Sequence, residues 1–259
     1  MVKMDPDWWK RIFDEIYLIT DARSVCDNGL TCREVDFLEQ VLEPEKSWPI
    51  LDLCGGQGRH SLELSRRGFR DVTVLDYSKV LIDLGRAKAK EEGLLTRFVE
   101  RDVRVSGLPG EGFRVIIFMA SSFGYFEDDS QNRGILREAC RLLKGEGILL
   151  LDLPDKGFVL EHFVPQSSHQ ADEDITVHRE RHLIEDVIYS REKVVSKARG
   201  LIRDESYCTS LYSPEKIEDL LKSAGFASVG IHRDFTSHDV KKDYGLMTNR
   251  MIVIAEKRA

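Results

Sequence analysis

The sequence predicts a doubly wound α/β fold: a mostly parallel sheet with an antiparallel β insertion near its end. Three observations carry that reading. Short apolar strands alternate with helical patterns between Pro49 and Asp152, a rhythm that buries a parallel sheet under helices on both faces. A glycine-rich turn, Gly55-Gly56-Gln57-Gly58, joins the first of those strands to its helix. From residue 157 to 210 the helical patterns stop, and charge-rich, β-branched runs with partial two-residue alternation take over.

The elements follow in order. Asp7 to Thr20 reads as an amphipathic helix, with Trp9, Ile12, Phe13, Ile16 and Ile19 at helical spacing. Asp27-Asn28-Gly29 is a turn, and Thr31 to Glu34 has the form of a capping box opening a second helix that ends before Pro44. The first buried strand, Pro49–Cys54, runs into the glycine turn, and its helix stops at Gly68. Val72–Asp76, Thr96–Arg101, Arg114–Met119 and Gly147–Asp152 are further strands, with helices over Ser78–Glu92 and Gln131–Leu143. Ile175–Leu183, Val187–Val195 and Leu201–Leu211 read as antiparallel strands of the insertion. Ser213-Pro214 caps a last helix that ends at Gly225, and Ser228–Arg233 and Arg250–Glu256 complete seven strands in the main sheet. The domain reading is therefore an N-terminal helical cap over 1–44, a ligand-binding domain over 45–156 and 211–259, and a β insertion over 157–210.

Composition narrows the function. With 259 residues, 42% hydrophobic and 32% charged, the chain is globular in type. Its net charge of −7 disfavours a nucleic-acid partner held through phosphates. The N-terminus lacks the basic and apolar regions of a signal peptide, and the longest apolar stretches are too short to span a bilayer. Cys26, Cys32, Cys54, Cys140 and Cys208 form no paired motif, which suggests neither a disulfide framework nor a metal site and fits a reducing cytoplasm.

A glycine-rich turn after a strand brings backbone N–H groups close to a ligand. Two acids extend the pattern: Asp76 ends the second strand, where a carboxylate can accept both ribose hydroxyls, and Asp102 ends the third, within reach of an adenine amino group. Both lie beyond the carboxyl ends of the strands, where open α/β sheets bind ligands. A dinucleotide fingerprint fits poorly, because its third glycine position is Ser61. Asp52, beside the turn, would repel a pyrophosphate and attract an amine. S-adenosylmethionine (SAM) has an amine and a sulfonium and no phosphate, so it is the cofactor this chemistry favours.

Asp52 to Gly58 is similar to the first motif, D-x-G-x-G-x-G, of class I SAM-dependent methyltransferases, with Cys54 at the first glycine. Val72–Asp76 and Glu100-Arg101-Asp102 resemble the second and third motifs, and Phe113–Phe126 the fourth strand and its loop. Arg141–Gly147, Leu211–Glu215 and Ser223–Phe226 resemble later turns of the small-molecule (type 11/25-like) branch. The resemblance implies a seven-stranded Rossmann-like methyltransferase. It implies that Asp52, Cys54, Gly55, Gly56 and Gly58 hold the methionine end of SAM and Asp76 the ribose, with Tyr77 near the adenine. Asp102 and Val103 take the adenine edge, and Ala120, Ser121 and Ser122 line the far side.

On the substrate side, Tyr125 falls where an acceptor meets the methyl group, so its hydroxyl is the candidate catalytic group; closing over the cofactor is its other reading. His162, His169 and His238 are candidate bases. Arg203 suits an acidic group on the acceptor if the insertion forms a lid, or else pairs with Glu205 or Asp204. Tyr212, at the insertion's exit, and Tyr17 are further candidate substrate residues beside Arg203 and His238; Trp8, Trp9, Phe13 and Tyr17 suit a helical flap over the SAM pocket, or else Trp9 and Phe13 pack onto the sheet. His178, Arg179, Arg181 and His182, neutralised by neighbouring acids, read as a solvated ribbon. The expectation is an enzyme methylating N or O of a small molecule, with the insertion as lid or homodimer surface and no metal. A non-catalytic SAM-binding partner protein and an NAD(P)-dependent oxidoreductase are the alternatives.

Overall fold

The structure, a computed structural model, describes residues 4–236 and 245–259. The N-terminal cap is more broken than its periodicity predicts. In place of one helix over Asp7–Thr20 there are α1 (Trp9–Ile12), α2 (Glu15–Thr20) and α3 (Ala22–Val25). The break has a local cause: Asp14 is extended, and its carboxylate accepts from the amides of Ile16 and Tyr17, which starts a new helix. Next comes α4 (Asn28–Leu42), which Asp27 caps through the Leu30 amide at 2.9 Å. The cap thus lies at Asp27, four residues before the predicted Thr31, and Glu34 is freed for another task.

Strands and helices then alternate: β1 (Ile50–Leu53), α5 (Arg59–Arg66), β2 (Val72–Asp76), α6 (Lys79–Glu91), β3 (Arg97–Glu100), β4 (Phe113–Phe118), α7 (Asp129–Leu142) and β5 (Leu143–Pro154). After α8 (Lys156–Glu161), which the pattern does not reveal, a meander follows of β6 (Gln166–Gln170), β7 (Ile175–Ile184), β8 (Val187–Ser196) and β9 (Gly200–Ser210). Then α9 (Pro214–Ala224), β10 (Phe226–Phe235) and β11 (Arg250–Lys257) complete the chain. The larger sheet has seven strands in the order β10-β11-β5-β4-β1-β2-β3, parallel except for β11, which runs antiparallel to both neighbours. The smaller sheet is antiparallel throughout, and gains β6 over the three predicted strands.

Two-residue alternation sorts the larger sheet's side chains onto two cores. Leu51, Leu53, Ile116, Phe118, Leu149 and Leu151 pack beneath α7 and α9. Ile50, Val115, Ile117 and Leu150 face the opposite way, against Val35, Leu38 and Leu42 of α4. Each fully buried aliphatic side chain contributes roughly 1.5–3 kcal/mol, which is why these strands read as unbroken apolar runs. One face of the smaller sheet is covered as well: Ile175, Val177 and Val194 pack on Ile16 and Ile19 of α2. The N-terminal cap is therefore held between the two sheets, above the carboxyl ends of β1, β2 and β4.

Candidate active site

The order of the larger sheet reverses at β1, which pairs with β2 on one side and β4 on the other. A cavity opens where the loops after these strands diverge, lined by Asp52, Gly56, Asp76, Asp102, Ala120 and Tyr125 among others. Backbone geometry shapes its floor. Cys54 and Gly56 both stand at φ +57°, and Ala120 and Ser121 at +56° and +55° across the crevice. A Cβ on Gly55 would come within 2.6 Å of the Asp52 carboxyl carbon, so glycine lets the loop lie directly on that carboxylate. Cys54 is the costlier choice, since a left-handed conformation disfavours a side chain by about 1 kcal/mol. Cys54→Gly is expected to stabilise the fold by up to ~1 kcal/mol in urea denaturation and to leave cofactor affinity within about twofold. A stability loss would mean that thiol packing outweighs the relieved strain.

The acids behave differently from one another. Asp52 is fully buried; Ser61 Oγ donates to its Oδ2 at 2.8 Å, while Oδ1 has no hydrogen-bond partner among the described residues. Burial pushes its pKa up to about 7, with Ser61 and Arg59 pulling the other way. Asp76 accepts from the Gly56 amide at 2.8 Å and from the Ser78 amide at 2.8 Å, so one carboxylate ties the glycine loop to the start of α6. Burial raises its pKa, and those amide donors limit the rise. Asp102 forms a forked pair with the Arg104 guanidinium, at 3.0 and 2.6 Å, and this outweighs burial to hold its pKa low. That guanidinium lies over the rings of Trp9 (4.9 Å) and Phe126 (4.8 Å), and Trp9 meets Tyr77 edge-on at 4.6 Å. The cavity is thus roofed on its Asp102 side by aromatic groups, with Val103 on its wall.

A second cavity of about 170 Å³ adjoins the first; Phe13, Tyr17, Val25, Arg59, Ala120 and Tyr125 line both. Its far wall is the smaller sheet, through Arg179, Arg181, Glu192, Tyr207 and Thr209. Phe13 stacks on Tyr125 at 5.5 Å, and Trp8 meets Tyr125 at 5.3 Å, so Tyr125 stands at the junction within an aromatic cluster. Burial raises its phenol pKa well above the ordinary value, which suits it to donate a hydrogen bond and not to accept a proton as a base.

Other expectations are placed elsewhere. Ser121 lines only the second cavity, and its amide donates to the Asp152 carbonyl. Arg203 lines neither cavity: its buried guanidinium pairs with Asp14 and with Glu192 (3.4 Å), while Asp204 and Glu205 pair instead with Arg191 and Arg11. Tyr212 is a core residue beside Phe123, at 5.6 Å, because the chain turns inward to start α9. His162 stacks on Phe158, and His169 bonds the Thr20 carbonyl at 3.0 Å; neither borders either of these two cavities. His238 lies outside the described residues. Arg179 corrects the expectation of a solvated ribbon: it is buried and pairs with Asp21 (2.9 Å) and Glu192 (2.8 Å).

Sequence reasoning also missed a buried ionic cluster under the glycine loop. Arg250, wholly buried at the start of β11, pairs with Glu34 of α4 at 2.7 Å and with Asp152 of β5 at 2.5 Å. Glu34 also pairs with Arg59 and His60 at the head of α5, the latter at 2.9 Å. Burial and the adjacent Arg59 lower the His60 pKa to about 4, so the ring is neutral near pH 7. Asp152 Oδ2 accepts from the Ala120 amide at 2.8 Å and thereby fixes the strained loop after β4. Only Glu34's place four residues before Leu38, on the packed face of α4, hints at this from the sequence.

Residues 50–147 match the family model of the methyltransferase domain. The chain is 29% identical over 198 residues to the Bacillus subtilis (strain 168) protein named "Putative methyltransferase YqeM", covering 74% of this chain and 78% of that one. It is 31% identical over 130 residues to a glycine/sarcosine N-methyltransferase of Halorhodospira halochloris, covering 50% of this chain and 48% of that enzyme. Among solved structures, a S-adenosylmethionine-dependent methyltransferase from Clostridium acetobutylicum ATCC 824 superposes with a TM-score of 0.73 at 18% identity, over 94% of this chain and 97% of that one. The sheet order and the loop at its reversal are those of the class I SAM-dependent methyltransferase fold, and residues 50–147 carry its methyltransferase domain. Over that domain the chain is similar to SAM-dependent methyltransferase enzymes, those of the type 11/25-like branch included.

Proposed function

We propose that the protein methylates an amine nitrogen of a small-molecule acceptor seated in the second cavity, with SAM held in the first. The observation that carries this is the adjacency of the two cavities, which share Phe13, Ala120 and Tyr125 in their walls. The first cavity fits the cofactor: the partnerless Oδ1 of Asp52 suits an α-ammonium, the Gly55–Gly58 backbone gives close approach, and Asp76 suits the ribose. Bound there, SAM supplies a methyl group on a sulfonium, open to in-line attack.

The chain's own part is to aim and desolvate. Tyr125 orients the acceptor nitrogen, and the aromatic cluster around it excludes water. Nitrogen is favoured over oxygen because a hydroxyl acceptor usually needs a general base. Here the carboxylates bordering the second cavity, Asp21, Glu34 and Glu192, are each committed to arginines. We read the smaller sheet as a lid, since Arg179, Glu192 and Tyr207 form one wall of the acceptor space; a homodimer is not needed to complete it. That open space also opposes the non-catalytic alternative, and buried acids beside the loop oppose a pyrophosphate cofactor. A small-molecule partner and a cytoplasmic setting complete the proposal, supported by the net charge of −7, the unpaired cysteines and the absence, among the described residues, of a helix able to cross a membrane. A glycine/sarcosine N-methyltransferase relative and the structurally similar sugar N-methyltransferase KedS8 from Streptoalloteichus sp ATCC 53650 (TM-score 0.67, 19% identity, 95% of this chain and 94% of that one) support nitrogen as the acceptor atom.

Calorimetric titration with S-adenosylhomocysteine (SAH), with NADH as control, tests the cofactor assignment. The Asp52 carboxyl sharpens the test. Its folded pKa of about 7 lies above the unfolded value, so its stabilising contribution is present below about pH 4 and is lost as pH rises toward 7. An ammonium placed beside it pulls that pKa down, so binding near pH 6.5 should release a proton. Titrations in two buffers of different ionisation enthalpy should show this release, and Asp52→Asn should abolish it. NADH binding, or SAH binding with no proton release, would defeat the assignment. Tyr125→Phe should lower kcat about tenfold or more and leave SAH affinity nearly unchanged; an unaltered kcat would remove its orienting role.

A further inference from the structure

We infer that the acceptor carries a carboxylate, and that Arg23 of α3 binds it. The inference rests on the methyltransferase reading and adds the chemical class of the substrate.

The second cavity is bordered by four guanidinium groups, Arg23, Arg59, Arg179 and Arg181, and by three carboxylates, Asp21, Glu34 and Glu192. One positive charge is therefore in excess among the described lining residues. Most of these cations are accounted for. Arg59 is held by Glu34 and Thr31, Arg179 by Asp21 and Glu192, and Arg181 by Ser167 at 3.0 Å. Arg23 is half-buried, and no hydrogen bond or ion pair ties its guanidinium to any described residue. The nearest acid in sequence, Asp21, is already engaged by Arg179 through both carboxylate oxygens, at 3.1 and 2.9 Å.

The planar fork of donors on a guanidinium matches a carboxylate. Removed from bulk water, that pair is worth more than one on the open surface. The remaining walls of the cavity are chemically distinct: Trp8, Phe13, Tyr125 and Tyr207 gather at the junction with the cofactor space. An aminocarboxylate satisfies both ends. Its amine lies among the aromatic rings next to the cofactor space, where a neutral nitrogen is tolerated and a methylated ammonium gains cation–π contact. Its carboxylate lies on Arg23. Arg203, which the sequence offered for this task only if the insertion forms a lid, is unsuited to it because Glu192 and Asp14 already neutralise it.

The test uses the full-length protein and matched acid–amide probes: glycine with glycinamide, sarcosine with sarcosinamide, and β-alanine with β-alaninamide. SAH affinity, SAH formation from SAM, and the thermal shift of the SAH-loaded protein are measured for wild type, Arg23→Gln and Arg23→Lys. The expected result is SAH affinity equal in all three proteins. At least one acid should exceed its amide by tenfold or more in kcat/KM, or be alone in raising Tm. Arg23→Gln should erase that preference, and Arg23→Lys should retain part of it. Equal response to acids and amides, no response to any probe, or a preference that survives Arg23→Gln overturns the assignment of Arg23 while SAH binding leaves the cofactor reading intact. Absence of SAH binding in the wild type overturns both.

Discussion

Asp76→Ala is expected to weaken SAH binding by about 100-fold or more. The carboxylate has two tasks, and alanine removes both. It anchors the glycine loop and the head of α6 through the Gly56 and Ser78 amides, and in the proposed function it accepts ribose hydroxyls. Hydrogen bonds to a charged partner are worth roughly 1.5–3 kcal/mol each, and 1.4 kcal/mol is a factor of ten in affinity. Two such bonds lost, with imperfect additivity, give at least two decades. Asp76→Asn retains an acceptor for one amide and should fall between alanine and wild type. Calorimetry with SAH on proteins of matched circular dichroism decides the matter; an affinity for Asp76→Ala within threefold of wild type would sink the ribose assignment.

The largest loss of stability is expected from Arg250→Met. The methionine fills much of the space but leaves Glu34 and Asp152 buried without their shared cation. Stranding a buried charge in this way typically costs about 3–5 kcal/mol. Urea denaturation should report a destabilisation of that size, and the double variant Arg250→Met, Asp152→Asn should recover a large part of it, because Glu34 keeps Arg59 and the stranded Asp152 charge is gone. A single-variant loss under about 1 kcal/mol would show that water or rearrangement relieves the cluster. SAH affinity should fall in step with stability in the single variant, since Asp152 fixes the Ala120 loop and Glu34 the head of α5.

The seven-stranded sheet and the floor of the cofactor cavity were legible in the sequence because both depend on local signals. Ile50 to Leu53, Val72 to Leu75 and Val115 to Phe118 are apolar on both faces, and the glycines at 55, 56 and 58 mark a turn that few other residues allow. The acceptor side was less legible because it is made by residues far apart in the chain. Arg203 pairs with Asp14 across 189 positions, so neighbours such as Asp204 were misleading partners. Arg179 offered a signal that the charge count concealed. It lies two and four residues beyond Val177 and Ile175, on the buried face of β7, while the acids thought to neutralise it include Glu180 on the other face. The break at Asp14 was hidden for a related reason: an aspartate inside an apolar helical pattern looks like a solvated residue until its carboxylate is seen capping the next helix. Glu34 combined both problems, since a local capping motif offered a sufficient role for a side chain whose true partner is Arg250.

The Glu34–Arg250–Asp152 cluster has a consequence for how the molecule is made. During synthesis every residue of the glycine loop, and both acids after it, emerges well before Arg250. Until β11 slides between β5 and β10, Glu34 has only Arg59 and His60, and Asp152 lacks the cation that it shares with Glu34. Contacts separated by 216 and 98 positions form late, after the entropy of closing those loops has been met. The nascent chain should therefore remain without a working cofactor pocket until β11 is in place, and a fragment ending before Arg250 should bind no SAH even though it holds every residue of the glycine loop. The reversed strand would act as a latch, coupling competence for the cofactor to the arrival of β11.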